Sequence, residues 1–129
     1  MPAIAALTIK DGATTPADHT FSPVSTNGSK AEWAERSAGS PAGFFTLSHE
    51  VRKPASAAAA NRVVIGFNMP TMAAVDGVQT VVRNSSAKVE LNLSSLSTEA
   101  ERDNLLAYIA NVLANADVKK TVKNIEPFY

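Results

Sequence analysis

Period-two alternation in the middle of the chain is the feature that most constrains its fold. The stretches Phe45 to Arg52, Arg62 to Pro70 and Ser86 to Leu93 place their large apolar residues at every second position. Because successive side chains of a strand point to opposite faces, each stretch predicts a β-strand with one apolar face. The predicted apolar face carries Phe45, Leu47, His49, Val51, Val63, Ile65, Phe67, Met69, Val89, Leu91 and Leu93. The opposite side carries Thr46, Ser48, Glu50, Arg52, Val64, Gly66, Asn68, Ser86, Lys88, Glu90 and Asn92.

The period changes in the last third of the chain. Thr98 and Glu101 have the spacing of a capping box, and the apolar residues after them recur at helical intervals. We predict an amphipathic helix over about Glu99 to Ala114, followed by a shorter helix capped by Asp117. The apolar stripe of the first helix consists of Leu105, Leu106, Ile109, Val112 and Leu113. The second helix also carries three lysines, Lys119, Lys120 and Lys123. Favourable interaction with the negative end of that helix explains them more simply than ligand binding does.

Turn signals organise the segments before and between these elements. Ala6 to Lys10 and His19 to Val24 flank an Asp11-Gly12 turn signal and predict an N-terminal hairpin. Asn27-Gly28 precedes a predicted short strand, Glu32 to Glu35, with Trp33 turned inward. Lys53 to Ala60 and Thr71 to Val78 are predicted to be connections, the former a loop or a single helical turn.

Strands first and helices last predict an α+β fold in a single domain of 129 residues. We expect an N-terminal hairpin (about residues 1–25), an antiparallel sheet of about five strands (30–93) and two C-terminal helices (98–124). Two short helices are too small to bury the whole apolar face of such a sheet. Its edge strands would also keep unpaired backbone groups that can pair with another chain. We therefore expect an obligate dimer, with the apolar stripe of the first helix entering the partner's core as well as its own.

Composition and spacing disfavour several classes of function. The chain has no cysteine, and His19 and His49 stand apart from any cluster at metal-ligand spacing, so we expect neither a metal nor another cofactor. His49 and its neighbours Ser48 and Glu50 would point to opposite faces of a strand and cannot form a catalytic site, so we expect no enzyme. The glycines are turn glycines, without a phosphate-binding loop.

The sequence also predicts a soluble protein without a membrane partner. No stretch approaches the roughly 18 apolar residues of a membrane span, and no basic segment precedes Met1 to Leu7. The 12 basic and 12 acidic residues cancel, which argues against a general polycation. Phe44 to Leu93 is nevertheless net basic, with five basic and three acidic residues. Its Arg52, Lys53, Arg62, Arg83 and Lys88 could neutralise phosphates, the alternative being an ordinary solvated sheet face.

The segment Leu7 to Asp11, continuing through Thr14 to Pro23, resembles the N-terminal hairpin of the coat proteins of leviviruses, the small single-stranded RNA bacteriophages. Further similar pieces follow in the same order and cover nearly the whole chain. They are Asn27-Gly28, Ala31-Glu32-Trp33, Val51-Arg52, Asn61-Arg62, Pro70, Val82-Arg83, Val89-Glu90-Leu91, Thr98 to Asn104 and Tyr129.

The resemblance implies an interlocked homodimer whose two sheets join edge to edge and whose helices reach onto the partner. It further implies that dimers tile an icosahedral shell assembled in the bacterial cytoplasm, with a maturation protein as a further partner in the virion. The more polar sheet face would point inward to the single-stranded viral RNA and would bind an RNA hairpin to repress replicase translation.

The resemblance also assigns roles to individual residues by aligned position. RNA contacts are expected at Ser48, Glu50, Arg52, Arg62, Val64, Gly66, Arg83, Ser86 and Lys88. Contacts between dimers are expected from the loop residues Ala73, Ala74, Val75, Asp76, Gly77 and Val78. The chain departs from the family pattern at three RNA-facing positions: Ser86 replaces a stacking tyrosine, Gly66 stands where lysine is common, and Glu50 puts a carboxylate toward phosphates.

Two functions of other classes remain open at the level of sequence. A non-viral dimeric α+β module could use the same face for RNA or a small ligand, and it would form no particles. A hydrolase would need a turnover that depends on His49 or Glu50.

Overall fold

Six antiparallel β-strands followed by two helices make up the protein, which a computed structural model describes over residues 1–56 and 58–129. The strands are β1 (Leu7–Lys10), β2 (Asp18–Asn27), β3 (Lys30–Glu35), β4 (Phe45–Arg52), β5 (Asn61–Val75) and β6 (Val78–Leu93). A short 3-10 helix, Pro41–Gly43, precedes β4, and the helices are α1 (Glu99–Ala114) and α2 (Ala116–Asn124). Strand order in the sheet equals strand order in the chain, so each strand pairs with the next. The predicted α+β class is confirmed.

The chain divides into two compact units, Met1–Asn92 and Leu93–Tyr129. The first contains the six strands except Leu93, the last residue of β6, and the second contains α1 and α2. None of the helices in the described ranges is long and apolar enough to cross a membrane.

Aromatic side chains fill the apolar face of the sheet. Trp33, Leu47 and Phe67 lie side by side on β3, β4 and β5. The ring centre of Phe67 lies 5.7 Å from that of Phe21 and 6.3 Å from that of Phe45. Both pairs are tilted, which is a geometry that aromatic pairs prefer. Phe21, at 2% exposure, is the most buried apolar side chain of the described residues. The alternation in the sequence therefore identified this face correctly.

Strands β5 and β6 extend further than the sequence indicated, so the prediction of a connection over Thr71 to Val78 is wrong for most of its length. Only Asp76 and Gly77 form the turn, with φ of 51° and 79°. Two successive residues with positive φ match the twist of a two-residue hairpin. Pro70 does not end β5, because it lies beyond the last β4 pair, Thr46 with Asn68, and its missing N–H interrupts no bond of that ladder.

Helix α1 has the predicted bounds and a complete capping box. Thr98 Oγ1 accepts from the Glu101 amide at 3.2 Å, and Glu101 Oε2 accepts from the Thr98 amide at 2.8 Å. The predicted cap of α2 is wrong by two residues. Asn115 caps this helix, because its Oδ1 accepts from the amides of Asp117 and Val118 at 2.9 and 3.3 Å.

The loop between β1 and β2 is organised around Asp11. Its carboxylate accepts from the amides of Ala13 and Ala17, both at 3.0 Å, and lies 3.1 Å from His19 Nε2. These hydrogen bonds, led by that from Ala17, lower the pKa of Asp11 to about 2. His19 is therefore held by a hairpin carboxylate, in keeping with a structural role.

The segment predicted as a loop or single helical turn over Lys53 to Ala60 includes Ala57, which lies outside the described residues. Residues 53–56 and 58–60 belong to no helix or strand.

Candidate nucleic-acid interface

The face of the sheet opposite the aromatic core collects charged and hydrogen-bonding side chains from four strands. Strand register aligns Lys30 with Glu50 and Glu32 with Ser48 between β3 and β4. Between β4 and β5 it aligns Glu50 with Val64, Ser48 with Gly66, and Arg52 with Arg62. Residues directly opposite each other on paired strands share a face. We call this surface the charged face; it consists of Lys30, Glu32, Thr46, Ser48, Glu50, Arg52, Arg62, Val64, Gly66, Asn68, Asn84, Ser86, Lys88, Glu90 and Asn92.

Side-chain contacts join β6 to the same face. Asn84 Nδ2 donates to Asn68 Oδ1 at 2.7 Å. Arg62 Nε lies 3.3 Å from Glu90 Oε1 and 3.4 Å from Asn92 Oδ1. Because alternate residues of a strand share a face, Ser86 and Lys88 belong with Asn84 and Glu90.

An open depression on the charged face is lined in part by small residues. Ser48, Gly66 and Ser86 line it, together with the charged residues Glu50, Arg52 and Lys88. A Cβ at position 66 would stand 2.8 Å from Ser48 Oγ, so any larger residue there would force Ser48 to move. This part of the face therefore offers hydroxyl groups in place of an aromatic platform.

Every basic side chain of the charged face has a carboxylate beside it. Lys30 Nζ lies 2.6 Å from Glu32 Oε1. Arg52 makes a two-pronged contact with Glu50, from Nε to Oε1 at 2.8 Å and from Nη2 to Oε2 at 2.9 Å. Glu90 serves two cations, Arg62 at 3.3 Å and Lys88 at 3.8 Å. Four cations and three carboxylates leave this face with a formal charge of only +1 per subunit.

Two of these carboxylates, Glu50 and Glu32, have their charged forms favoured by hydrogen bonds from neighbouring side chains. The hydrogen bond from Arg52 lowers the pKa of Glu50 below its ordinary value of 4.5. Hydrogen bonds from Lys30 and then Ser25 lower the pKa of Glu32 in the same direction. The partners respond oppositely, since Glu32 raises the pKa of Lys30 and Glu50 raises that of Arg52.

Eight of the nine residues predicted to contact RNA lie on the charged face, and Arg83 does not. Neighbouring side chains of a strand point to opposite sides, so Arg83 falls on the side opposite Asn84. Sequence reasoning also missed Lys30, because the predicted strand began two residues too late. The turn at Asn27-Gly28 was the available signal, since Asn27 pairs with Lys30 directly across it.

The residues predicted to join dimers lie on the β5–β6 hairpin. Ala73, Ala74 and Val75 end β5, Asp76 and Gly77 form the turn, and Val78 begins β6. Val75 and Val78 are exposed, at 47% and 64%. These two valines flank the Asp76-Gly77 turn at the end of a regular hairpin, where a longer loop was expected.

The apolar stripe of α1 is incompletely buried in the single chain. Leu105 and Ile109 are half-buried, while Leu106, Val112 and Leu113 remain 55%, 52% and 57% exposed. Within residues 1–56 and 58–129, only five residues are buried: Phe21, Ala34, Glu35, Gly43 and Pro70. Taken alone, the chain has a very small core.

His49 lies on the aromatic side of β4, paired with Ala31 and Ile65, while Glu50 lies on the charged face. This separation removes the geometric basis for a site that combines the two side chains. No group of three metal-binding side chains occurs in the described part of the chain.

This chain is similar to known proteins over nearly its whole length. A family model described as levivirus coat protein matches residues 2–129. The capsid protein of Pseudomonas phage PRR1 is 31% identical over 128 residues, which cover 95% of this chain and 96% of that protein. The solved virus-like particle of bacteriophage NT-214 has a TM-score of 0.89 at 25% identity and covers 99% of this chain and 100% of that one. The capsid protein of bacteriophage GA, at 18% identity, shares the fold with a TM-score of 0.77 over 97% of each chain.

Proposed function

The chain belongs to the levivirus coat protein family, and from that premise we propose that it builds the icosahedral shell of a single-stranded RNA bacteriophage. The observation that carries the proposal is the match to a phage capsid protein over 95% of this chain and to a chain of a solved virus-like particle over 99% of it. Members of this family are structural proteins, so the hydrolase and the non-viral module are both set aside. Sedimentation velocity of the purified protein tests assembly: particles of many subunits are expected, and a lone dimer at every concentration would contradict the proposal.

The building block of this shell is a homodimer. The half-exposed stripe of α1 supports this step, because a chain with so few buried residues needs a partner to complete its core. Leu105, Leu106, Ile109, Val112 and Leu113 supply the apolar contact. The exposed hairpin end at Ala73 to Val78 joins one dimer to the next.

The charged face binds the single-stranded viral RNA inside the shell. Arg52, Arg62 and Lys88 supply cations for phosphates, and the hydroxyl groups of Ser48 and Ser86 supply hydrogen bonds to sugars or base edges. Without an aromatic residue at position 86, the face lacks a stacking contact that is worth about 1 to 3 kcal/mol per base in other single-strand binders. An RNA hairpin that represses replicase translation would therefore be held mainly by hydrogen bonds and ion pairs.

The RNA contacts can be tested separately from shell building. Arg52→Ala and Lys88→Ala should reduce the RNA content of purified particles while dimers persist. Unchanged RNA content and unchanged affinity at several salt concentrations would refute the assignment.

A maturation protein is the further partner expected in the complete virion, and its co-purification with particles from infected cells tests that association.

A further inference from the structure

The carboxylates of the charged face compete with RNA phosphates for the same basic groups. A phosphate that binds arginine in the preferred two-pronged way uses two N–H groups on one edge of the guanidinium. In Arg52 the edge formed by Nε and Nη2 already holds Glu50, at 2.8 and 2.9 Å. A phosphate must therefore displace Glu50 from this edge or take a less favourable one.

Glu90 has the same effect on two cations at once. Its Oε1 lies 3.3 Å from Arg62 and its Oε2 lies 3.8 Å from Lys88. A phosphate approaching either cation therefore also approaches a carboxylate within a few ångströms. The resulting like-charge repulsion is strongest where water is partly excluded, and the Glu90 side chain is only 34% exposed.

We propose that Glu50 and Glu90 are specificity-determining residues that weaken sequence-independent binding of RNA by the charged face. This inference rests on the proposed RNA-binding role of that face. Phosphate contacts carry no sequence information, whereas hydrogen bonds to base edges do. By holding the cations in internal ion pairs, the two carboxylates leave selection to the amide and hydroxyl groups between them. Asn68, Asn84 and Asn92 provide such groups on β5 and β6.

Isosteric substitution of each carboxylate tests the proposal. Glu50→Gln and Glu90→Gln remove one charge without changing side-chain shape, and Glu126→Gln is a matched control near the C-terminus, outside the charged face. The probe is a fluorescent 20-nucleotide oligouridylate, and its dissociation constant is measured from 50 to 200 mM salt. One further phosphate contact steepens the single-strand salt dependence by about 0.7 in log–log slope. The loss of affinity between 50 and 200 mM salt should then grow by about 2.6-fold in each variant.

Glu50→Gln and Glu90→Gln should each bind oligouridylate more tightly than the parent protein at 50 mM salt, while Glu126→Gln matches the parent. The inference would be overturned if Glu50→Gln and Glu90→Gln both bound oligouridylate no more tightly than the parent protein. If Arg52→Ala still weakened binding in that case, the RNA-binding role of the charged face would stand. Unchanged binding by Arg52→Ala and Lys88→Ala at every salt concentration would instead overturn the RNA-binding role itself. The two side chains lie on different strands, so each variant tests the proposal independently of the other.

Discussion

Replacing Leu113 by alanine tests the dimer contact through α1. Leu113 keeps 57% of its surface exposed in the single chain, and the proposed dimer covers that part with the partner subunit. The substitution removes three carbon groups, each worth about 0.8 kcal/mol when fully buried. Scaling by the exposed fraction gives about 1.4 kcal/mol per subunit if the partner covers all of it.

A symmetric dimer contains the substitution twice, so the loss is about 2.7 kcal/mol. At 1.4 kcal/mol per factor of ten, the dissociation constant of the dimer should rise about 100-fold. Alanine and leucine both favour helix, so α1 itself should remain folded. The measurement is urea-induced unfolding at a series of protein concentrations, which yields the dissociation constant because the midpoint of an obligate dimer depends on concentration.

Leu96→Ala is the matched control. Leu96 is 91% exposed and precedes α1, outside the apolar stripe, so the same chemical change should alter the dissociation constant less than threefold. An effect of Leu113→Ala smaller than threefold, or no larger than that of Leu96→Ala, would refute the placement of the stripe in the interface.

Three further predictions concern single sites. Arg52→Ala should weaken oligouridylate binding and flatten its salt dependence, whereas Arg83→Ala, on the other side of the sheet, should leave both unchanged in a fluorescence anisotropy titration. Asp11, whose pKa is lowered to about 2 chiefly by the Ala17 amide, stabilises the hairpin above its unfolded pKa near 3.8. That stabilisation is lost as the pH falls from about 3.8 through about 2, and Asp11→Asn should remove this part of the pH dependence in acid unfolding followed by circular dichroism. Ile125 ends α2 at φ 58° while 90% exposed, so Ile125→Gly should stabilise the protein by about 1 kcal/mol in urea unfolding; destabilisation would show that the isoleucine side chain makes a needed contact.

Local patterns predicted the elements whose signals are contained in a few neighbouring residues. The capping box at Thr98 and Glu101 fixed the start of α1, since both partners lie within one helical turn. The alternation in Phe45 to Arg52 gave the bounds of β4 and both of its faces. The boundary of β5 was wrong because a proline ends a strand only where its N–H is required by a neighbouring strand, and that depends on register.

The residues of the charged face could be predicted only in part, again because of register. Period-two alternation placed Ser48, Glu50 and Arg52 together without any knowledge of the neighbouring strands. The contact of Arg62 with Glu90 joins residues far apart in the chain, and no local pattern predicts it. The pairing of cations with carboxylates that leaves this face nearly neutral could therefore be recognised only from the structure.

Electron microscopy of the purified recombinant protein, together with extraction of nuclease-protected RNA, tests the central claim most directly. Closed shells of uniform size that contain RNA are expected. A monodisperse small dimer without nucleic acid, under every assembly condition tried, would contradict it.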